Sequence, residues 1–349
     1  MGSKWDAASR VVNDVRAIFD RNNTDIRRYG LEQTYTDIGA FADGLREQQV
    51  PDRLAMSLLL AFRDWAPLAF WNEHKQVYTM HPTLTRELRA TGVNDKLPGE
   101  ILQRLPHPDP MFVFPDGIEV ELPEGERGRL IAINVCGAHV TGPGHANYSS
   151  TLDESANGLY FNALAEVYDE HGDVVDWDYC HTSIPLSDEM FTIASVIDGT
   201  RDYYSFDGKR AVEGMDERRL AYVHQVVGIA LAHLLYVVSA EADIETPRNT
   251  TTAQNAPLAA EGPRRPPRPT KHQPVGYVIG PALDAARREH EKTVAATAGG
   301  GTKSPHWRKA HFHTVRTGVG RVDSELRWFA PIPVKKDGAP LKKPTIHGY

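Results

Sequence analysis

Residues 111–135 read MFVFPDGIEVELPEGERGRLIAINV, and this stretch decides the fold class. It holds three short runs rich in β-branched and aromatic residues, MFVF, IEVEL and LIAINV. Turn residues separate them, and Asp116-Gly117 is a hairpin signal. Downstream, residues 158–168, 173–179 and 190–197 repeat the pattern, with His171-Gly172 marking a turn between the first two. An antiparallel sheet is the economical reading.

Helical periods flank this sheet on both sides. Before it, Val11, Val12, Val15, Ile18 and Phe19 recur at three- and four-residue spacing, as do Leu31, Tyr35, Ile38, Phe41, Ala42 and Leu45. A third helix is expected from Pro51 through Leu58, Phe62, Trp65, Leu68 and Trp71, with the proline in the first turn. After the sheet, residues 216–242 carry apolar side chains around most of the helix circumference, which predicts a helix buried against the sheet. Its apolar run at 226–240 contains His233 and is short for a bilayer crossing, so no membrane partner is expected. Residues 276–279 read as a strand and 281–295 as a charged helix, followed by two basic strands. The fold class is therefore α+β: an N-terminal helical layer, a central antiparallel sheet with a buried long helix, and a small basic C-terminal β unit.

Charge divides the chain unequally. Residues 1–261 hold 22 Lys and Arg against 40 Asp and Glu, whereas 262–349 hold 17 against 6, so an acidic body of −18 carries a basic end of +11. Such asymmetry points to polyanion contact at the basic end or to neutralisation within one fold. Residues 247–274, PRNTTTAQNAPLAAEGPRRPPRPTKHQP, have no apolar period and read as a Pro/Thr/Arg-rich linker. The expected organisation is an acidic α+β body at 1–246, this linker, and a basic unit at 275–349. Only two cysteines occur, Cys136 and Cys180, so no disulfide framework is built and a reducing cytoplasm fits. The opening MGSKWDAASR lacks the apolar core of a secretory signal, and Asp6 stands where myristoylation needs Ser or Thr.

The densest candidate site is Lys303, His306, Trp307, Arg308, Lys309, His311, Phe312, His313 and Arg316, with Arg327 and Trp328 close behind. Cations interleaved with aromatics suit single-stranded nucleic acid, because cations meet phosphates while rings stack on splayed bases. Strand alternation puts His311 and His313 on one face and Phe312, Thr314 and Arg316 on the other, so one face packs while the other binds. Two other readings compete: a metal site of His306, His311 and His313, and a core role for Trp307, Phe312 and Trp328. A second cluster, DVVDWDYCHT at 173–182, offers Asp176, Asp178, Cys180 and His181 to a metal-dependent nuclease or a Cys-His pair. Gly137, Gly142 and Gly144 in CGAHVTGPGH match no dinucleotide or phosphate loop and read as a turn. No nucleophile elbow, zinc-protease pair, kinase set or cofactor fingerprint is present. A binding protein is favoured over an enzyme, the alternative being a metal-dependent ribonuclease built on those histidines or on the Asp176 and Asp178 pair.

The run TKSPHWRKAHFHTVRTG at 302–318, followed by ELRWFAPIPV at 325–334, resembles the end of the second type V-A anti-CRISPR family. GYVIGPALDAARREHE, LAHLLYVVSAEADIE and LLLAFRDWAPLAFW resemble the family's strand and helix before that end, its long apolar helix and its early aromatic helix. The second cation here is Lys309, Ala310 stands where Gly is usual, Phe312 replaces Trp, and Arg316 occupies an aromatic position. If that aromatic stacks on a ligand, the guanidinium plane of Arg316 can stand in for it; if it is core, local packing differs here. The resemblance implies a regulator that recognises the nascent N-terminal peptide of the type V-A effector nuclease, or of a related target, and lowers the mRNA encoding it. Its implied partners are that peptide and the mRNA or ribosome.

Overall fold

The computed structural model describes residues 4–28, 38–91, 97–142, 145–186, 190–191, 217–245, 248–250, 270–297, 306–321 and 323–334. Three helices open the chain, α1 (Lys4–Arg28), α2 (Ile38–Glu47) and α3 (Asp52–His74). The apolar stripe of α1 is buried at Val11, Val12, Val15, Ile18 and Phe19 as its spacing predicts. Pro51 sits just outside α3 at its N-cap, where its missing N–H costs no helical hydrogen bond. The helix ends at Lys75 in the left-handed region (φ 52°), and the chain enters β1 (Gln76–Met80) at once. The Trp71 indole N–H donates to the Gln76 carbonyl at 3.1 Å and fixes this corner.

Helix α4 (Pro82–Ala90), with Pro at its start, leads through the short β2 (Leu97–Pro98) to β3 (Met111–Glu121), β4 (Arg127–Gly142), β5 (His145–Ser149), β6 (Gly158–Tyr168), β7 (Val174–Pro185) and β8 (Met190–Phe191). Helix α5 (Glu217–Val238), β9 (Arg248–Thr250), β10 (Thr270–Val275) and α6 (Ile279–Thr297) follow. The main sheet has the order β7-β6-β4-β3-β1-β10-β9, with β5 also paired to β4. It is antiparallel across β3, β4, β6 and β7, as expected, but β1 lies parallel to both β3 and β10, so the sheet is mixed. Within the expected linker, β9 and β10 pair with each other, and residues 251–269 lie outside the described residues.

The sheet buries both faces, which is why its central strands read as continuous apolar runs. Met111, Val113, Ile131, Tyr160 and Leu164 face α1–α3. Tyr78, Phe112, Phe114, Ile133 and Phe161 face α4 and α5. Helix α5 is apolar and long enough to cross a membrane by composition, yet 72% of its apolar window is buried inside the protein. Its His233 is fully buried, bonded to the Ile229 carbonyl at 2.7 Å, and burial pushes the ring's pKa down to about 4.

Three local expectations change. Asp116-Gly117 is not a hairpin turn: β3 runs through it, and its register with β4 slips between Val113 and Ile118. Gly117 takes φ 65° with the Arg129 side chain packed where a Cβ would stand, so the glycine serves an internal bulge. The turn itself closes at 122–126, where the Leu122 N–H donates to Glu126 and the Gly125 N–H to Leu122. Gly137 lies inside β4, where a side chain would collide with the backbone of Ser150, while Gly142 ends the strand. Residues 276–279 form no strand: Gly276 turns at φ 79° and Ile279 starts α6. The carboxylate of Asp243 accepts from the Val278 and Ile279 N–H groups at 2.7 and 2.9 Å and caps that helix.

Candidate nucleic-acid interface

The basic end folds as two small antiparallel pairs. β11 (His306–Arg308) pairs with β14 (Ile332–Val334), and β12 (His311–Thr317) with β13 (Asp323–Phe329). In the second pair His311 stands opposite Phe329, Phe312 opposite Trp328 and His313 opposite Arg327. Because side chains alternate along a strand, this register sorts the cluster into two faces.

The inner face packs against the body. Trp328 is buried and meets the Tyr236 ring of α5 edge-on at 5.3 Å; Leu326, Ala310 and half-buried Phe312 join the same core. The backbone N–H of Ala240 donates to the Leu326 carbonyl at 3.1 Å, tying the ribbon to the end of α5. Trp328 and Phe312 are thus anchors of the unit, the role set out for them as the core alternative.

The outer face carries His311, His313, Val315, Glu325, Arg327 and Phe329. The His311 and Phe329 rings lie 5.2 Å apart and nearly parallel, at 11°, and His313 tilts against Phe329 at 6.2 Å. Arg327 is engaged: its Nε and Nη2 donate to Glu325 at 3.0 and 2.7 Å, and Nη1 reaches Glu241 at 3.3 Å. Arg308, Lys309 and Arg316 are exposed, and Lys303 lies outside the described residues. Trp307 is half-buried against α6, where the Arg287 guanidinium covers its ring at 4.9 Å and His290 lies 5.6 Å away. Arg287 is itself held at 2.6 Å by Glu87, which is buried. Of the candidate aromatics, then, none of Trp307, Phe312 and Trp328 presents a free ring. The exposed ring is Phe329, which sequence reading passed over in favour of its neighbour Trp328.

Among the described residues no group of three or more His, Cys, Asp or Glu side chains is placed to hold a metal ion, so His306, His311 and His313 do not converge. The Asp176, Asp178 and Cys180 face forms no joint site: it runs from exposed Asp176 through partly buried Asp178 to buried Cys180. Asp178 is largely buried, 4.0 Å from Arg219 of α5, and burial pushes its carboxyl up against the pull of that cation. Cys180 is buried and its thiol is pushed up to about 12, which removes it as a nucleophile at neutral pH. His181, its sequence neighbour, projects from the other face and stacks with Tyr179 at 6.3 Å.

Residues 78–336, three-quarters of the chain, match the model of the AcrVA2-like, anti-CRISPR type V subtype A2 family. The chain belongs to this family. The AcrVA2-like match begins inside β1 and runs through the basic ribbon, leaving α1–α3 outside it. A solved structure titled "Crystal structure of AcrVA2" aligns with a TM-score of 0.47 at 11% identity, covering 95% of this chain and 97% of that one. No curated protein sequence matches the chain.

Proposed function

We propose that this AcrVA2-like protein is a translation-coupled repressor with two contacts: one to the nascent peptide of its target, the other, through the basic end, to the mRNA or ribosome carrying that peptide. Destruction of the message follows from the double contact. The observation that carries this reading is the outer face of β12–β13, whose exposed rings follow exposed Arg308 and Lys309 within a few residues of sequence, at the basic end of a net acidic chain. A polyanion is attracted to that end and repelled from the body, which orients the encounter. A moderate peptide affinity joined to an RNA affinity raises the effective concentration at the correct polysome.

The test separates peptide from nucleotide recognition. Synonymous recoding of the target's first codons keeps the peptide, so repression of its mRNA persists. A compensated pair of frameshifts keeps nearly every nucleotide and destroys the peptide, so repression vanishes. Relief of repression by recoding alone overturns the peptide contact. In a parallel arm, Arg308→Ala with Lys309→Ala abolishes repression while leaving binding of the free synthetic peptide unchanged. Full repression by that variant overturns the RNA contact.

A further inference from the structure

We infer that Phe329, framed by His311 and His313, is a base-stacking platform, and that the nucleic acid taken by the basic ribbon is single-stranded RNA rather than duplex. This rests on the RNA contact proposed above and names its ligand class and its central residue.

Two neighbouring rings of β13 are treated unequally by the fold. Trp328 is 5% exposed and Phe329 is 37% exposed, so the ribbon sinks the larger ring and leaves part of the smaller one in contact with water. Exposed apolar side chains scattered singly are ordinary; here the ring is exposed together with two imidazoles that touch it, which makes a small aromatic patch. The three outer rings sit on adjacent positions of paired strands, so the backbone ladder holds their relative geometry. The His311 ring lies nearly parallel to Phe329 and stacks on it, and His313 tilts against Phe329. A pre-ordered, partly exposed ring stack on an antiparallel pair is the kind of surface on which sheet-borne aromatics receive unstacked bases. Paired bases already stack on their neighbours and present no free face to it.

Charge selects RNA over an apolar partner. Exposed Arg308 and Lys309 lie three and two residues before the start of β12, whereas Arg316 shares the face of Phe312. A strand entering the outer face from the start of β12 therefore meets cations first and rings beyond them. The two imidazoles offer N–H donors to phosphate or base edges as well as ring faces. An apolar peptide would leave these cations unmatched.

The probe is a fluorescently labelled single-stranded RNA dodecamer of mixed sequence, compared with the same strand annealed to its complement and with a version carrying abasic sites at its centre. Full-length protein is expected to prefer the intact single strand and to lose roughly tenfold in affinity for the abasic one, a measurement needing no mutation. Phe329→Leu is expected to show the same loss on the intact strand with an unchanged salt slope, and Phe329→Trp to restore binding. Equal affinity for intact and abasic strands, or undiminished binding by Phe329→Leu, overturns the platform while leaving the RNA contact standing if Arg308→Ala with Lys309→Ala still flattens the salt slope. Preference for the duplex overturns the ligand class. If no RNA is bound at all, the underlying contact falls with it.

Discussion

The hairpin β6–β7 and the ribbon β12–β13 are built from the same material and use it in opposite directions. Each is an antiparallel pair in which charged and aromatic residues alternate, DVVDWDYCH in one and HFHTVRT with SELRWF in the other. In the hairpin the charged face, with Asp178 and Cys180, turns inward under α5, and Trp177 is left partly exposed. In the ribbon the bulky apolar face turns inward under the same helix, and the imidazoles and Phe329 look out. Alternation alone divides a strand into two faces; what lies across the ladder decides which of them becomes core.

The sharpest way to break this contrast is to compare adjacent residues. Trp328→Ala empties a buried site against Tyr236 and is expected to cost about 3–5 kcal/mol of stability. Phe329→Ala, one residue on, removes a ring already in contact with water and is expected to stay within about 0.5 kcal/mol. Urea unfolding of the two variants checks this. Equal losses would mean that both faces of the ribbon are core and that no platform exists.

That pair also shows where sequence reading stops. The layers were legible because the patterns are strong: the stripe of α1, the all-round apolar surface of α5 and the near-continuous apolar run of β6 each survive in the structure. β1 was missed. It is five residues long, buried throughout, and enters from α3 through Lys75 instead of a glycine or proline that would announce a boundary. The start of α6 was misplaced because its cap, Asp243, lies 35 and 36 residues earlier in the chain. At the candidate site the cluster and its two faces were readable from His311 to Arg316, but Phe329 was not. Its surroundings depend on the register that sets it opposite His311, which the turn between β12 and β13 fixes and which a reading of either strand alone does not supply.

The second prediction probes the hairpin. Burial raises the pKa of Asp178 above its usual 3.8, so the folded state binds a proton more readily than the unfolded chain. Asp178 therefore favours folding most below the unfolded pKa, and this support is lost as pH rises through the raised folded value. At neutral pH the ionised carboxylate is a burden. Asp178→Asn removes it, and the partly exposed Arg219 loses only a distant partner. The variant is expected to match the parent near pH 3 and to be more stable at pH 7, read from urea midpoints across that range. A variant less stable at pH 7 would show that the ion pair with Arg219 outweighs burial, making the hairpin's charged face an asset of the fold.

The smallest expected effect has the opposite sign to every other substitution at the ribbon. Arg327 lies on the outer face between His313 and the body, but its guanidinium is held by Glu325 at 2.7 Å and approached by Glu241 at 3.3 Å. Those carboxylates repel a phosphate and occupy the donors that would meet it. Glu325→Gln leaves an acceptor of the same shape for Arg327 and deletes one negative charge from the face. An exposed pair of this kind is worth about 0.2–1 kcal/mol, so affinity for the single-stranded RNA is expected to rise by roughly 1.4- to fivefold at low salt. The gain shrinks as salt increases, because one further phosphate contact steepens the salt dependence by about 0.7 in the logarithmic slope. The control is Asp176→Asn, which deletes one charge from the exposed part of β7 and is expected to leave RNA affinity unchanged. Fluorescence anisotropy at 50 and 200 mM salt distinguishes the cases. If both neutralisations tighten binding equally, the RNA responds to net charge alone and the outer face of β12–β13 has no privileged position. If neither does, Arg327 is a structural clamp between the ribbon and the end of α5, and the contact with RNA runs through Arg308 and Lys309 instead.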